Sequence, residues 1–220
     1  MTAPRRRALV VRGGWPGHAP EETTDLVVPV LRDAGHSVEI ADDLDVYLDA
    51  ARLQDLSVIV QCWTLGRMSA EHCAGLTGAV ASGVGFGGWH GGVVDAFRSR
   101  PEYLQMVGGQ FVAHPGGHVD HRIELVPERA DHPIVAGLPS SFAVHTEQYW
   151  VLADDYNDVL ATTTIAPGEQ WDRPVTCPAV WTRNWGHGRV FVCTLGHSPE
   201  DLDHPVTRAV VQRGLRWAAR

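Results

Sequence analysis

Gly83-Val84-Gly85-Phe86-Gly87-Gly88-Trp89-His90-Gly91-Gly92 is an apolar, glycine-rich stretch that ends in a histidine between glycines. Residues 84–88 have the length and composition of a buried strand. Gly88-Trp89-His90-Gly91-Gly92 then has the spacing of the G-x-S-x-G elbow, in which a strand turns sharply into a helix and pushes its central side chain into an open crevice. Such an elbow belongs to a parallel α/β sheet, so the fold turns on whether strand and helix alternate around it.

They do. Ala8-Leu9-Val10-Val11 is a continuous apolar run, as a strand covered on both faces requires. Glu21 to Ala34 follows, with Leu26, Val27, Val30 and Leu31 at helical spacing and Gly35 as the stop. Ser37 to Ile40 and Ser57 to Cys62 read as the next strands, and Ser69 caps a helix reaching about Ser82. This order predicts a parallel sheet wound with right-handed crossovers. Beyond Pro101 the pattern changes. A short helix is expected over 102–107, strands over 121–126, 143–152, 158–164, 179–182 and 188–194, and an amphipathic helix over 206–218. Asn184 to Gly188 is turn-rich and predicts a hairpin. No repeat or long linker interrupts the chain, which is read as one domain over residues 1–220.

Composition narrows the function classes. Net charge is −8, against the concentrated Lys and Arg that a phosphate backbone demands, so no nucleic-acid partner is expected. No apolar run is long enough to span a bilayer, so no membrane role is expected either. Arg5-Arg6-Arg7 lacks an apolar segment behind it and reads as a lead into the first strand rather than a signal peptide. A cytoplasmic protein is expected. Cys62, Cys73, Cys177 and Cys193 show no C-x-x-C pairing and read as reduced thiols, mostly buried. Eight Trp and twelve His are many for this length, and their positions carry the chemistry.

Ligands of open parallel sheets bind outside the carboxyl ends of the strands. Trp15 and His18 follow the first predicted strand, Trp63 the third, and Trp89 with His90 the fourth. A lone Trp is most often packed against a helix, but three at corresponding strand ends suit the apolar C–H faces of a sugar. At the elbow, His90 is placed as an acid or base near neutral pH or as a metal ligand, with the Gly91 and Gly92 amides expected to face a ligand anion. His114 enters a Pro-Gly turn, and His197 follows the apolar strand ending at Cys193. His36, His72, His121, His132, His187 and His204 are expected at the surface or in turns. Asp95 is expected to cap a helix start. Glu147, in an aromatic-rich segment with no basic neighbour in sequence, is expected to be partly buried with a raised proton affinity, or else to be a salt-bridged or exposed strand residue.

Several segments together resemble one family: LVVRGGWPGHAPEETTD (9–25), GGWHGGVVDAFRSRPEYLQMVGGQFVAHPGG (87–117), TEQYW (146–150), PAVWTRNWGHGRVF (178–191) and TLGH (194–197). They are similar to the trehalose-utilisation (ThuA-like) family of the class I glutamine amidotransferase-like superfamily. The resemblance implies a flavodoxin-like three-layer sandwich with a mostly parallel central sheet. In true amidotransferases the elbow carries a cysteine activated by a histidine and a glutamate; here the matching position is His90, with no cysteine near it in sequence, so glutamine hydrolysis is not expected. What the family name implies is breakdown of trehalose-related disaccharides, as keto sugars.

The expected function is an enzyme of carbohydrate catabolism, of hydrolase or lyase/isomerase type. His90, Glu147 and His114 are the expected catalytic residues. Trp15, His18, Trp63, Trp89, Gly91 and His197 are the expected substrate-binding residues. One alternative is a zinc-dependent hydrolase with His18, His90, His114 and His197 as ligands. Another is a sugar-binding protein without catalysis. A homodimer is the base-rate expectation for assembly.

Overall fold

The computed structural model describes residues 6–220, and Arg5 of the basic run lies outside them. The chain runs β1 (Arg6–Gly14), α1 (Pro20–Asp33), β2 (His36–Ala41), α2 (Ala50–Gln54), β3 (Val58–Thr64), α3 (Ala70–Ala81), β4 (Gly85–Trp89), α4 (Gly91–Val94) and α5 (Pro101–Val107). It continues through β5 (Gly109–Ala113), β6 (His118–Leu125), β7 (Ser141–Glu147), β8 (Trp150–Ala153), β9 (Asp158–Ile165), β10 (Val175–Trp185) and β11 (Gly188–Cys193), and closes with α6 (Pro199–Asp203) and α7 (Pro205–Ala218).

One nine-stranded sheet has the order β2-β1-β3-β4-β11-β10-β9-β6-β7, and β5 pairs with β8 in a separate two-stranded sheet. From β2 to β11 all neighbours are parallel; from β11 to β7 they are antiparallel. Alternation along each strand splits the apolar residues between two layers. Leu9, Val11 and Ile59 face a cluster with Leu76, Tyr103 and Met106. Ala8, Val10, Val58 and Val60 face Val27, Leu31, Val210 and Leu215. Each fully buried Leu, Ile or Val side chain contributes about 1.5–3 kcal/mol, and the two layers make the sandwich that the alternation predicts.

Details depart from the sequence expectations. The segment 143–152 is not one strand: β7 ends at Glu147 and β8 begins at Trp150 in the other sheet. Gln148 Nε2 donates to Thr163 Oγ1 at 2.7 Å and to the Thr164 carbonyl at 3.1 Å, which anchors the corner between them. Of the histidines expected at the surface, His36 is buried, 4% exposed, with Nδ1 donating to the Leu31 carbonyl at 3.2 Å. His187 is exposed, whereas His72, His121, His132 and His204 are half-buried. His72 closes a capping box on α3: the Ser69 hydroxyl accepts from its amide at 3.1 Å, and its Nδ1 accepts from the Ser69 amide at 3.3 Å. No helix among the described residues is long and apolar enough to cross a membrane.

The strand order reverses direction at β1: the chain steps out to β2 and returns across β1 to β3. Crevices open at the carboxyl edge of such a reversal. His18, Thr64, His90 and His197 all leave the sheet at the carboxyl ends of parallel strands, β1, β3, β4 and β11.

Candidate functional site

The elbow is as sharp as its glycines imply. His90 has φ 49° and ψ −144°, a conformation that side chains other than hydrogen rarely adopt and that surroundings must enforce. Its amide donates to the Cys193 carbonyl at 2.7 Å, while its own carbonyl accepts from Val93 and Val94 to start α4. Gly91 is required beside it, because a Cβ there would stand 2.4 Å from His18 Cε1. His90 Nδ1 lies 2.8 Å from the Thr194 carbonyl, which only accepts, so Nδ1 carries the proton. In the neutral ring Nε2 therefore presents a lone pair, 2.7 Å from Tyr149 Oη and 3.1 Å from Glu147 Oε2.

Glu147 is the hub. His18 holds its Nδ1 against Thr64 Oγ1 at 2.8 Å and brings Nε2 to 3.9 Å from Glu147 Oε2. His197 brings Nδ1 to 3.3 Å from the same oxygen, yet that buried nitrogen makes no well-aligned hydrogen bond. The rings of His18 and His90 are 4.6 Å apart and those of His18 and His197 5.0 Å. One donor atom from each of His18, His90, Glu147 and His197 falls within 4.8 Å of all the others. His114 stands outside this group: its Nε2 is 3.6 Å from Glu147 Oε1 and its side chain is 40% exposed.

The electrostatics reverse one expectation. Burial by itself would raise the Glu147 pKa, but its contacts with His197 and His90 outweigh burial and hold it well below the usual carboxylate range. The sequence around Glu147 lacks basic residues, and its positive partners arrive from distant segments. His18 is pushed down to about 3, by burial first and then by His90 and His197. Burial also lowers His90, against the opposing pull of Glu147 and the Thr194 carbonyl, whereas contact with Glu147 raises His197. The lowered His18 and His90 favour the neutral imidazole that a metal ion needs, His197 would give up its proton on binding one, and three His with one carboxylate is a zinc-type donor set. Zinc bonds of about 2.0–2.2 Å at tetrahedral angles place ligands roughly 3.3 Å apart, close to the 3.1 and 3.3 Å contacts of Glu147 Oε2.

The remaining expected residues sort by exposure. Trp15 is 47% exposed and meets the His18 ring edge-on at 4.8 Å. Trp63 is half-buried against Phe97, with ring centroids 6.5 Å apart. Trp89 does not face the crevice: it is 1% exposed and packs in the α1/α7 layer, because the residue before the turn points to the face opposite the site. Gly91 and Gly92 are buried and open α4, which is only four residues long. Asp95 caps no helix start; it follows α4 and accepts from Arg98 Nε at 2.5 Å. Cys62 and Cys193 are buried near the elbow, and burial pushes their thiols up to about 11 and about 12, so neither supplies a thiolate.

Tyr149 and Thr64, which hydrogen-bond His90 and His18 in the candidate site, are residues that motif spacing does not single out. Tyr149 is buried, its ring 4.1 Å from that of His90 and 4.3 Å from that of Phe111. Its only sequence signal is its place two residues after Glu147, in the corner between sheets.

The solved structures that resemble this chain share its fold at low identity. A ThuA-like protein from Bacteroides uniformis superposes with a TM-score of 0.78 at 17% identity, covering 99% of this chain and 93% of that one. One from Parabacteroides merdae gives 0.73 at 17%, covering 98% and 90%. A Salmonella typhimurium protein described as cytoplasmic gives 0.67 at 13%, covering 97% and 100%. No curated protein matches the sequence. The family profile for trehalose utilisation matches residues 7–218, nearly the whole length, and the chain belongs to the trehalose utilisation (ThuA) family.

Proposed function

We propose that this chain is a metal-dependent cytoplasmic enzyme of disaccharide breakdown, acting on trehalose or a keto-sugar derivative of it. The carrying observation is the meeting of His18, His90, Glu147 and His197 donor atoms within 4.8 Å. A zinc-type ion held by these four residues would supply Lewis-acid polarisation of a substrate oxygen. The chain's own residues supply positioning and proton transfer. Thr194 fixes the His90 tautomer through its carbonyl, and Thr64 orients His18, as outer partners of metal-ligating histidines do. Tyr149 keeps its proton, since burial, Glu147 and Asp95 all raise its pKa well above the ordinary value. Its hydroxyl hydrogen-bonds His90 Nε2, and were that lone pair committed to an ion the same proton would be available to a substrate oxygen. His114, the most exposed imidazole in contact with Glu147, is the group suited to exchange protons with solvent. Trp15 at the entrance offers a stacking face for a sugar ring.

A metal-free reading rests on the 3.1 Å contact between His90 and Glu147, which is an acid–base pair by geometry. Metal analysis of protein purified without added zinc separates the two. One ion per chain, lost in His197→Ala and Glu147→Gln, supports the metal centre. Protein without metal whose turnover of 3-keto-trehalose survives a chelator and disappears in His90→Ala overturns it in favour of the acid–base pair.

A further inference from the structure

A second polar pair borders the same opening. Asp95 is 6% exposed, and its carboxylate accepts from Arg98 Nε at 2.5 Å. A buried carboxylate needs such a partner. Only Nε of Arg98 is engaged; among the described residues neither Nη atom has a protein hydrogen bond, and the side chain is 47% exposed. Its guanidinium carbon lies 5.8 Å over the Phe111 ring. Phe111 packs against Tyr149 at 4.3 Å and stacks on His114 at 5.6 Å, so one ring separates the guanidinium from the groups around His90.

The backbone that carries the pair is held under strain. Phe97, fully buried between Asp95 and Arg98, has φ 47°, and Leu65 across from it has φ 61°. The two segments clamp each other: the Leu65 amide donates to the Asp95 carbonyl at 2.7 Å, and the Phe97 amide to the Leu65 carbonyl at 3.3 Å. Left-handed conformations at bulky residues persist only where the surroundings impose them, and they concentrate where a side chain must be aimed. The loop after β3 and the segment after the elbow are thus locked together by these backbone hydrogen bonds, and Asp95 holds Arg98 by its Nε.

The chemistry of the pair selects a ligand class. Arg98 presents a rigid planar fork, but Asp95 cancels its charge. A phosphate or carboxylate placed on the fork would sit beside Asp95 and near Glu147. Hydroxyl and keto oxygens accept the same hydrogen bonds without adding a charge. We propose that Arg98, aimed by Asp95, recognises two adjacent oxygens of a neutral sugar ring entering the site, and so sets its specificity. This rests on the reading of the centre as carbohydrate-processing, and names the residue that would choose the carbohydrate.

Calorimetric titration of trehalose and of 3-keto-trehalose into wild type, Arg98→Met and Arg98→Lys tests it, with metal content and melting temperature measured on each protein. The expected result is a dissociation constant raised about tenfold to a hundredfold in Arg98→Met, with metal content and melting temperature unchanged. Arg98→Lys, which keeps the charge and loses the fork, is expected to bind nearly as poorly. Trehalose 6-phosphate is expected to bind no more tightly than trehalose. Full rescue by lysine, tighter binding of the phosphate, unchanged affinity in Arg98→Met, loss of metal along with affinity, or a wild type that binds neither sugar would each overturn the proposal. Arg98-dependent sugar binding by a protein that holds no metal would uphold it while the metal reading fails.

Discussion

Tyr149 shows how a single residue's role follows from the bonding of its neighbour. Because the Thr194 carbonyl fixes the proton on His90 Nδ1, the Tyr149 hydroxyl must donate to Nε2. Tyr149→Phe removes that proton and no donor atom of the proposed metal site. Its kcat is therefore expected to fall about 10²–10⁴-fold, with KM and metal content near wild type. Unchanged kcat would show that the hydroxyl is only a packing group. Glu147 teaches a related lesson about charge. Its local sequence predicts a raised proton affinity, and the histidines that follow β4 and β11, His90 and His197, invert the sign. Trp89 and His90 are adjacent in sequence, and the turn sends one into the core and the other into the crevice.

At the scale of elements, helix propensity and packing pull in opposite directions in α7. Gly214 is a poor residue for the middle of a helix, and alanine there would ordinarily gain about 1 kcal/mol. A Cβ at that position would stand 2.3 Å from the Phe191 ring on β11. Gly214→Ala is accordingly expected to lower stability by about 1–3 kcal/mol, read from the denaturant midpoint at constant m. A midpoint that rises would mean that α7 has room to move off the sheet. The parallel elements were legible because apolar runs and helical spacing are local signals: β1, α1, β2, β3, α3 and β4 lie close to where the sequence puts them. The corner at Gln148 and Tyr149 was not, because its cause is a pair of hydrogen bonds to β9.

The whole molecule carries several histidines whose protonation opposes folding. Burial lowers His18, His36, His90, His121 and His132, whereas Glu147 raises His197. A lowered histidine stays neutral in the folded chain while the unfolded chain takes up a proton below about pH 6.5, so its contribution is lost as pH falls from there through the folded value. The raised His197 acts in the opposite sense: its contribution is present below about pH 6.5 and lost as pH rises through its folded value. With five lowered and one raised, unfolding free energy measured in chelator is expected to be smaller at pH 5.5 than at pH 7.5. Equal or greater stability at pH 5.5 would mean that these rings are hydrated. His36→Gln, remote from the site, is expected to flatten part of that slope.

The sequence by itself determined the family, the alternating elements, the elbow at His90 and the segments that reach the carboxyl edge of the sheet. These depend on contacts within a few residues or on motifs that survive as strings. Only the tertiary structure decided that Glu147 stands in the donor set and His114 outside it, that Trp89 is core, and that Tyr149 and Arg98 border the crevice. Those outcomes depend on distances of a few ångströms between segments dozens of residues apart, which strand order and one sharp corner fix and which no local pattern encodes.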